Sequence, residues 1–189
     1  MGRENKAVYE DEWGVVDRTE DGGKTWNHNQ ISSSPVDKDG AFIDASFVDS
    51  REGWAVGSSV IRHTTDGGVT WEIQYKKKYD PTNLYGFETV QFLDSHTGWV
   101  VGSSDGDTGY FTGILRTTDD GKSWRESRAQ HPLYRIHFLN SSVGIGVGAA
   151  TPENYPGNPG RAPDRDGIIM DTADAGDTWK EVFRASDSQ

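Results

Sequence analysis

Apolar residues in this chain come in short alternating runs broken by clusters of Gly, Asp, Ser and Thr. Thr89–Leu93, Trp99–Gly102 and Ile114–Thr117 each alternate with the period of a half-buried strand, and the clusters between them carry turn chemistry. The same succession recurs along the chain, and its turns recur almost letter for letter. Four octapeptides align without gaps: Thr19–Trp26 (TEDGGKTW), Thr64–Trp71 (TTDGGVTW), Thr117–Trp124 (TTDDGKSW) and Thr172–Trp179 (TADAGDTW). Ahead of the last three stands a second shared element, at Phe47–Gly57 (FVDSREGWAVG), Phe92–Gly102 (FLDSHTGWVVG) and Phe138–Gly148 (FLNSSVGIGVG). Each unit resolves into four strands, A to D. The second element carries the A–B turn and strand B, and the octapeptide turns C into D. Four antiparallel strands in a period of about 45–55 residues predict an all-β fold of propeller blades. The units fall at residues 7–30 (partial), 41–77, 85–128 and 133–185 of a single domain.

The octapeptide explains itself physically. Its Asp accepts backbone N–H bonds inside the turn, its Gly supplies a positive φ, its Thr or Ser hydroxyl adds a bond, and its Trp is expected to bury its ring between blades. Asp21, Gly23 and Trp26 fill these places in the first unit, followed by Asp66, Gly68 and Trp71, then Asp119, Gly121 and Trp124, then Asp174, Gly176 and Trp179. A catalytic residue is seldom needed at four equivalent positions, so the aspartates read as structural staples.

These octapeptides resemble the Asp-box, or bacterial neuraminidase repeat. The longer phrase, with Phe-x-Asp, Gly-Trp-x-Val-Gly and the octapeptide in order, is similar to the repeat of the photosystem II assembly and stability factor family over nearly all of residues 13–183. The resemblance implies a propeller and, for photosynthetic members, a chaperone-like role in assembling a membrane complex. That family's ring has about seven blades. The present chain has three complete repeats and a partial one, which leaves a fragment of a longer chain, a small closed ring, or a ring completed by a second copy.

Composition narrows the function. Thirty acidic against nineteen basic residues give a formal charge of −11, which disfavours nucleic acid. There are no cysteines, so disulfides, thiolate nucleophiles and Cys-based metal sites are excluded. No apolar run suffices to span a bilayer, and no signal peptide is visible at the N-terminus; an extracytoplasmic location would require a leader already removed.

Strand order puts the A–B and Asp-box turns at one end of every blade and the B–C and D–A connections at the other. The second end varies between repeats, as binding loops on a rigid scaffold do. It carries the basic run Lys76, Lys77, Lys78 with Tyr79, the 103–113 loop with Tyr110, and the 149–167 loop with Tyr155, Arg161 and Arg165. These eight residues are the candidate binding set. A protein is the expected partner, with a glycan as the alternative, and no cofactor is expected. Asp105–Thr108 and Asp164–Gly167 resemble pieces of a calcium loop but lack its full spacing and distal Glu, so no metal is assigned. The rival function is part of a carbohydrate-active enzyme, a sialidase or an Asp-box glycoside hydrolase. Tyr134-Arg135-Ile136 looks like the start of a sialidase motif, with His137 where that motif has Pro; repeat register explains Arg135 better. The histidines share no catalytic spacing, and His63 and His96 are expected at the surface.

Overall fold

The computed structural model describes residues 15–30, 42–57, 59–78, 86–104, 111–150 and 166–185. Their strands form four antiparallel sheets, each with its strands in chain order. Blade 1 holds β1 (Val15–Arg18) and β2 (Asn27–Gln30), the C and D strands of its repeat. Blade 2 holds β3 (Asp44–Phe47), β4 (Gly53–Gly57), β5 (Val60–Thr64) and β6 (Glu72–Lys76). Blade 3 holds β7 (Thr89–Phe92), β8 (Gly98–Ser104), β9 (Phe111–Thr117) and β10 (Arg125–Ala129). Blade 4 holds β11 (Leu133–Phe138), β12 (Gly144–Ala149), β13 (Gly167–Thr172) and β14 (Lys180–Arg184). The B and C strands of blade 3 run further than their alternation predicted, because the ladder continues to Ser104 opposite Phe111.

Blades meet through two clusters. Trp54, Val56 and Ile61 of blade 2 pack with Phe87, Val90, Phe92, Val100 and Leu115 of blade 3. Trp99, Val101 and Ile114 of blade 3 pack with Leu133, Ile136, Phe138, Ile168 and Met170 of blade 4. At the centre of each lies one aromatic pair. Trp54 stacks on Phe92 at 3.5 Å between ring centroids and 5° between planes, and Trp99 stacks on Phe138 at 3.7 Å and 6°. The indole comes from strand B of one blade and the phenyl ring from strand A of the next.

The glycine before each of these strand-B positions belongs to the same device. A Cβ on Gly53, Gly98 or Gly144 would lie 2.5, 2.6 or 2.8 Å from the ring of its own blade's Phe47, Phe92 or Phe138. Only a residue without a side chain lets that ring cross its own sheet. The Gly-Trp pair of the repeat therefore does two jobs, clearing room for its own Phe and reaching the neighbour's.

The tryptophan that ends each octapeptide is only partly covered at the seam, where Trp124 and Trp179 pack against the inter-blade clusters. Trp71, Trp124 and Trp179 are half-buried and meet the phenyl ring of their own blade edge-on, at 6.0–6.1 Å. Trp26 is exposed. Among the described residues the fully buried indoles are Trp54 and Trp99, each enclosed between two complete blades.

Polar side chains stitch the same seams. The Asp44 carboxylate accepts from Thr89 Oγ1 at 2.8 Å and the Val90 amide at 3.0 Å, and Ser46 Oγ accepts from the Phe92 amide at 3.0 Å. One seam further on, the Gln91 amide group donates to the Phe138 carbonyl and accepts from the Phe138 amide. Gln74 takes the Trp54 Nε1–H at 2.9 Å and passes its own N–H to the Asp120 carbonyl. Trp99 Nε1 needs no such relay and donates directly to the Ala175 carbonyl at 2.9 Å. Arg125 and Asp177 close the rim at 2.9 Å.

At the two ends of the stack the same positions are open. Phe47 is 45% exposed, against 6% for Phe92 and 1% for Phe138. Ile145 stands where Trp54 and Trp99 are wholly buried, and is 42% exposed.

Truncation of a buried Trp or Phe costs about 3–5 kcal/mol. Trp99→Ala and Phe138→Ala are each expected to fall in that range by urea denaturation. The double variant should cost less than their sum by about 0.5–1.5 kcal/mol or more, the stacking shared by the pair. Strict additivity would show that the rings contribute only independent burial.

Candidate functional site

Each octapeptide closes on its aspartate. In the second, Asp66 Oδ1 accepts from Thr64 Oγ1 (2.8 Å), the Val69 amide (3.0 Å) and the Thr70 amide (2.9 Å), while Oδ2 accepts from Thr70 Oγ1 (2.6 Å). Asp21, Asp119 and Asp174 repeat the scheme, with Thr25, Ser123 and Thr178 as the hydroxyl donors. The residue after each of these aspartates and the one following it take positive φ. Glycine fills the first of these places in blades 1 and 2, but Asp120 and Ala175 occupy it in blades 3 and 4, both at φ 65°. The backbone carbonyls there, at Asp120 and Ala175, are the acceptors used by the preceding blade. Turn and seam are thus one structure.

Hydrogen bonds to the ionised form lower the pKa of these groups. Bonds from Thr25, Thr70 and Thr178 lower Asp21, Asp66 and Asp174 from 3.8 to about 2, and Ser123 lowers Asp119 in the same way. A carboxylate so satisfied is a poor general acid at neutral pH. Each of these carboxylates is bound within its own turn.

Two histidines differ from one another. His96 is exposed and raised in pKa by its hydrogen bond with Asp120, which Lys122 also contacts at 2.7 Å. His63 is half-buried, contrary to the surface placement its repeat position suggested. Its ring lies 4.6 Å from Trp54 and its Nε2 3.2 Å from Glu52. The equivalent Arg116 approaches Trp99 at 5.9 Å, so this strand-C position serves the indole.

The end expected to carry the variable loops is formed where the ladders end. Gly57 opposes Val60, which opposes Lys76; Ser104 opposes Phe111; Ala149 opposes Gly167, and Ile168 opposes Arg184. Lys76, Lys77 and Lys78 lie at this end of blade 2, Lys76 and Lys78 exposed and Lys77 half-buried with its amide donating to the Ser59 carbonyl at 2.8 Å. Tyr79, Tyr110, Tyr155, Arg161 and Arg165 lie outside the described residues, as do the calcium-loop fragments except for Asp166 and Gly167. Arg135 is exposed in β11 and donates to the Tyr134 carbonyl. Sequence reasoning missed Asp44, Gln74 and Gln91, whose seam contacts have no counterpart at the same position in every repeat. Among the described residues no helix is long and apolar enough to cross a membrane.

Three complete four-stranded blades and the outer half of a fourth, each with its C–D turn stapled by an Asp-box, define a partial Asp-box β-propeller. The chain belongs to the photosynthesis system II assembly factor YCF48 family, whose model matches residues 12–78 and 27–135. It is similar to the solved structure of YCF48 bound to D1 peptide, at 27% identity and a TM-score of 0.55 over 75% of this chain and 39% of that one. It shares its fold with YCF48 from Cyanidioschyzon merolae, at 24% identity and a TM-score of 0.53 over 77% of this chain and 38% of that one. The matched region thus spans about two fifths of the length of these relatives. No curated protein matches the chain.

Because the Asp-box carboxylates titrate lower folded than unfolded, their contribution is complete above 3.8 and fades as pH falls from there towards about 2. Acid unfolding followed by tryptophan fluorescence should show its main loss of stability in that window. Asp66→Asn should weaken the fold at pH 7 and flatten the acid limb. An unchanged limb would mean that the aspartates are not staples.

Proposed function

We propose that this chain is a non-catalytic binding propeller of the assembly-factor type, which holds a segment of a protein partner on the end that carries the variable loops. The observation that carries this reading is the similarity, over three quarters of the chain, to a YCF48 structure bound to D1 peptide. The saturated Asp-box carboxylates support it, since the acids most numerous in the repeat are committed to turns. Lys76, Lys77 and Lys78 are the part of the candidate set that the structure describes, a basic strip on a chain of net charge −11. A basic strip steers and orients an acidic or carboxylate-bearing segment.

The test is calorimetric titration of the chain with D1 peptide. Binding is expected, and Lys76→Glu/Lys77→Glu/Lys78→Glu should weaken it at least about tenfold without altering the thermal midpoint by more than a few degrees. Failure of D1 peptide to bind, or turnover of fluorogenic glycosides, would withdraw the reading in favour of a glycan-binding or glycosidase fragment.

A second copy that extends the ring is the companion proposal. Ile145, Val147 and Ile169 on the outer face of blade 4 are 36–43% exposed, while Trp54, Val56, Ile61, Trp99, Val101 and Ile114 at the same places in blades 2 and 3 are wholly buried. Light scattering on a gel-filtered sample should give twice the 20.9 kDa chain mass, and Ile145→Asp should restore the monomer. A monomeric parent chain would remove the proposal.

A further inference from the structure

Between blades 1 and 2 the seam differs from the two filled ones in size, in lining and in charge. A cavity of about 300 Å³ opens there, lined by Val16, Phe42, Ala45, Phe47, Ala55 and Trp71 among others. Ladder register names the residues that make the room. Ala45 opposes Ala55 and Ala55 opposes Arg62, as Val90 opposes Val100 and Val100 opposes Leu115 in blade 3. Two alanines thus stand where blade 3 has valines, and Phe47 stays exposed where Phe92 and Phe138 are covered. Arg62 takes the place of Leu115 and, in blade 4, of Met170, yet is itself only 5% exposed. Its guanidinium lies 5.8 Å from the Phe42 ring, and its Nε has no hydrogen-bond partner. A buried cation is costly without a counter-charge, whereas leucine or methionine in that place is not.

The filled seams define what fits such a cleft. In each of them an indole from strand B lies flat on the phenyl ring of the next blade. Two residues after Trp54, Val56 joins the same cluster as Leu115. That strand B is paired with strand C of its own blade. Beside the cavity the corresponding strand C is β1, which pairs with β2 on one side; its other edge has no partner among the described residues. An occupant in the same register is an extended segment on that edge. It offers an aromatic ring to Phe47 and, two residues later, a side chain to Arg62.

We propose that this cleft is a second partner-binding site, which takes an extended segment of another protein carrying an aromatic residue and, two positions on, a carboxylate. The segment pairs with β1, its ring covers Phe47, and its carboxylate neutralises Arg62. Backbone pairing along the edge supplies affinity, and the alternate side chains supply selectivity. The basic group here is not the lysine strip: Lys76 opposes Val60 at the end of the ladder, while Arg62 opposes Ile73 within it. A segment with the Trp-x-Val spacing of Trp54 and Val56 would fill the cavity but leave Arg62 uncompensated, so the cleft selects against the strand B of another repeat.

Titration of the full chain with the N-acetylated, C-amidated tripeptide Trp-Ser-Asp, followed by amide NMR shifts, tests the site. The peptide should bind with a Kd on the order of millimolar or tighter and shift Val16, Ala45, Phe47 and Ala55. It should bind at least about tenfold more tightly than the neutral Trp-Ser-Asn tripeptide capped in the same way. Arg62→Leu, which installs the residue of blade 3, should abolish that preference while both peptides still bind. Ala45→Val/Ala55→Val, which installs the valines of blade 3, should keep the thermal midpoint and lose both peptides. A preference for the acid that survives Arg62→Leu would overturn the proposal, as would binding that survives the valine pair. Shifts confined to residues 76–78 would do the same. Absence of binding at millimolar peptide would overturn it and leave the cleft to the chain itself. Signals of the lining residues that move when the peptide-free chain is diluted would overturn it in favour of a second copy.

Discussion

The stack of one blade's indole on the next blade's phenyl ring is the contact on which the rest of this structure depends. It is flat, wholly buried and made twice in nearly the same geometry, by Trp54 with Phe92 and by Trp99 with Phe138. Three other features exist to permit it. Glycine precedes each indole so that the phenyl ring can cross its own sheet. The octapeptide tryptophan holds that ring from the edge. The carbonyl at the positive-φ position of the next turn receives the indole N–H, directly or through Gln74. Removing any one of them would leave a clash, an unpacked ring edge or a buried donor without an acceptor.

How much of this was legible in the sequence follows from the range of each interaction. The Asp-box is local: its bonds run from Thr64 to Thr70, so its residues recur at fixed spacing and their roles can be read from a single turn. Strand order and the number of repeats follow from the same recurrence. The seam is not local. Asp44 reaches Thr89, Gln91 reaches Phe138 and Gln74 reaches Asp120, each roughly one repeat away, and the residue type changes from blade to blade. His63 was misplaced for that reason, since its environment is set by an indole on the neighbouring strand and not by its own alternation. Of the candidate binding set, the lysines were legible as a charge run. Nothing in residue type alone marks Arg62, which becomes notable only once register shows Leu115 and Met170 in its place.

The blade ends divide the labour differently from the seams. At one end, the turns are nearly identical and their acids are satisfied within the loop, so that end is chemically quiet. At the other, the ladders run on to different lengths, from Gly57 opposite Val60 to Ser104 opposite Phe111, and the sequence beyond them is free to vary. Variation at this end therefore does not disturb the core.

The self-contained staple has an evolutionary corollary. Each repeat brings its own turn, its own clearing glycine and one half of each seam, so that stability accrues from unit to neighbour and not from the ring as a whole. A gene can therefore gain or lose whole repeats by unequal recombination and still encode well-folded interior blades. What changes is only the pair of blades left at the boundary, where selection must then write new residues.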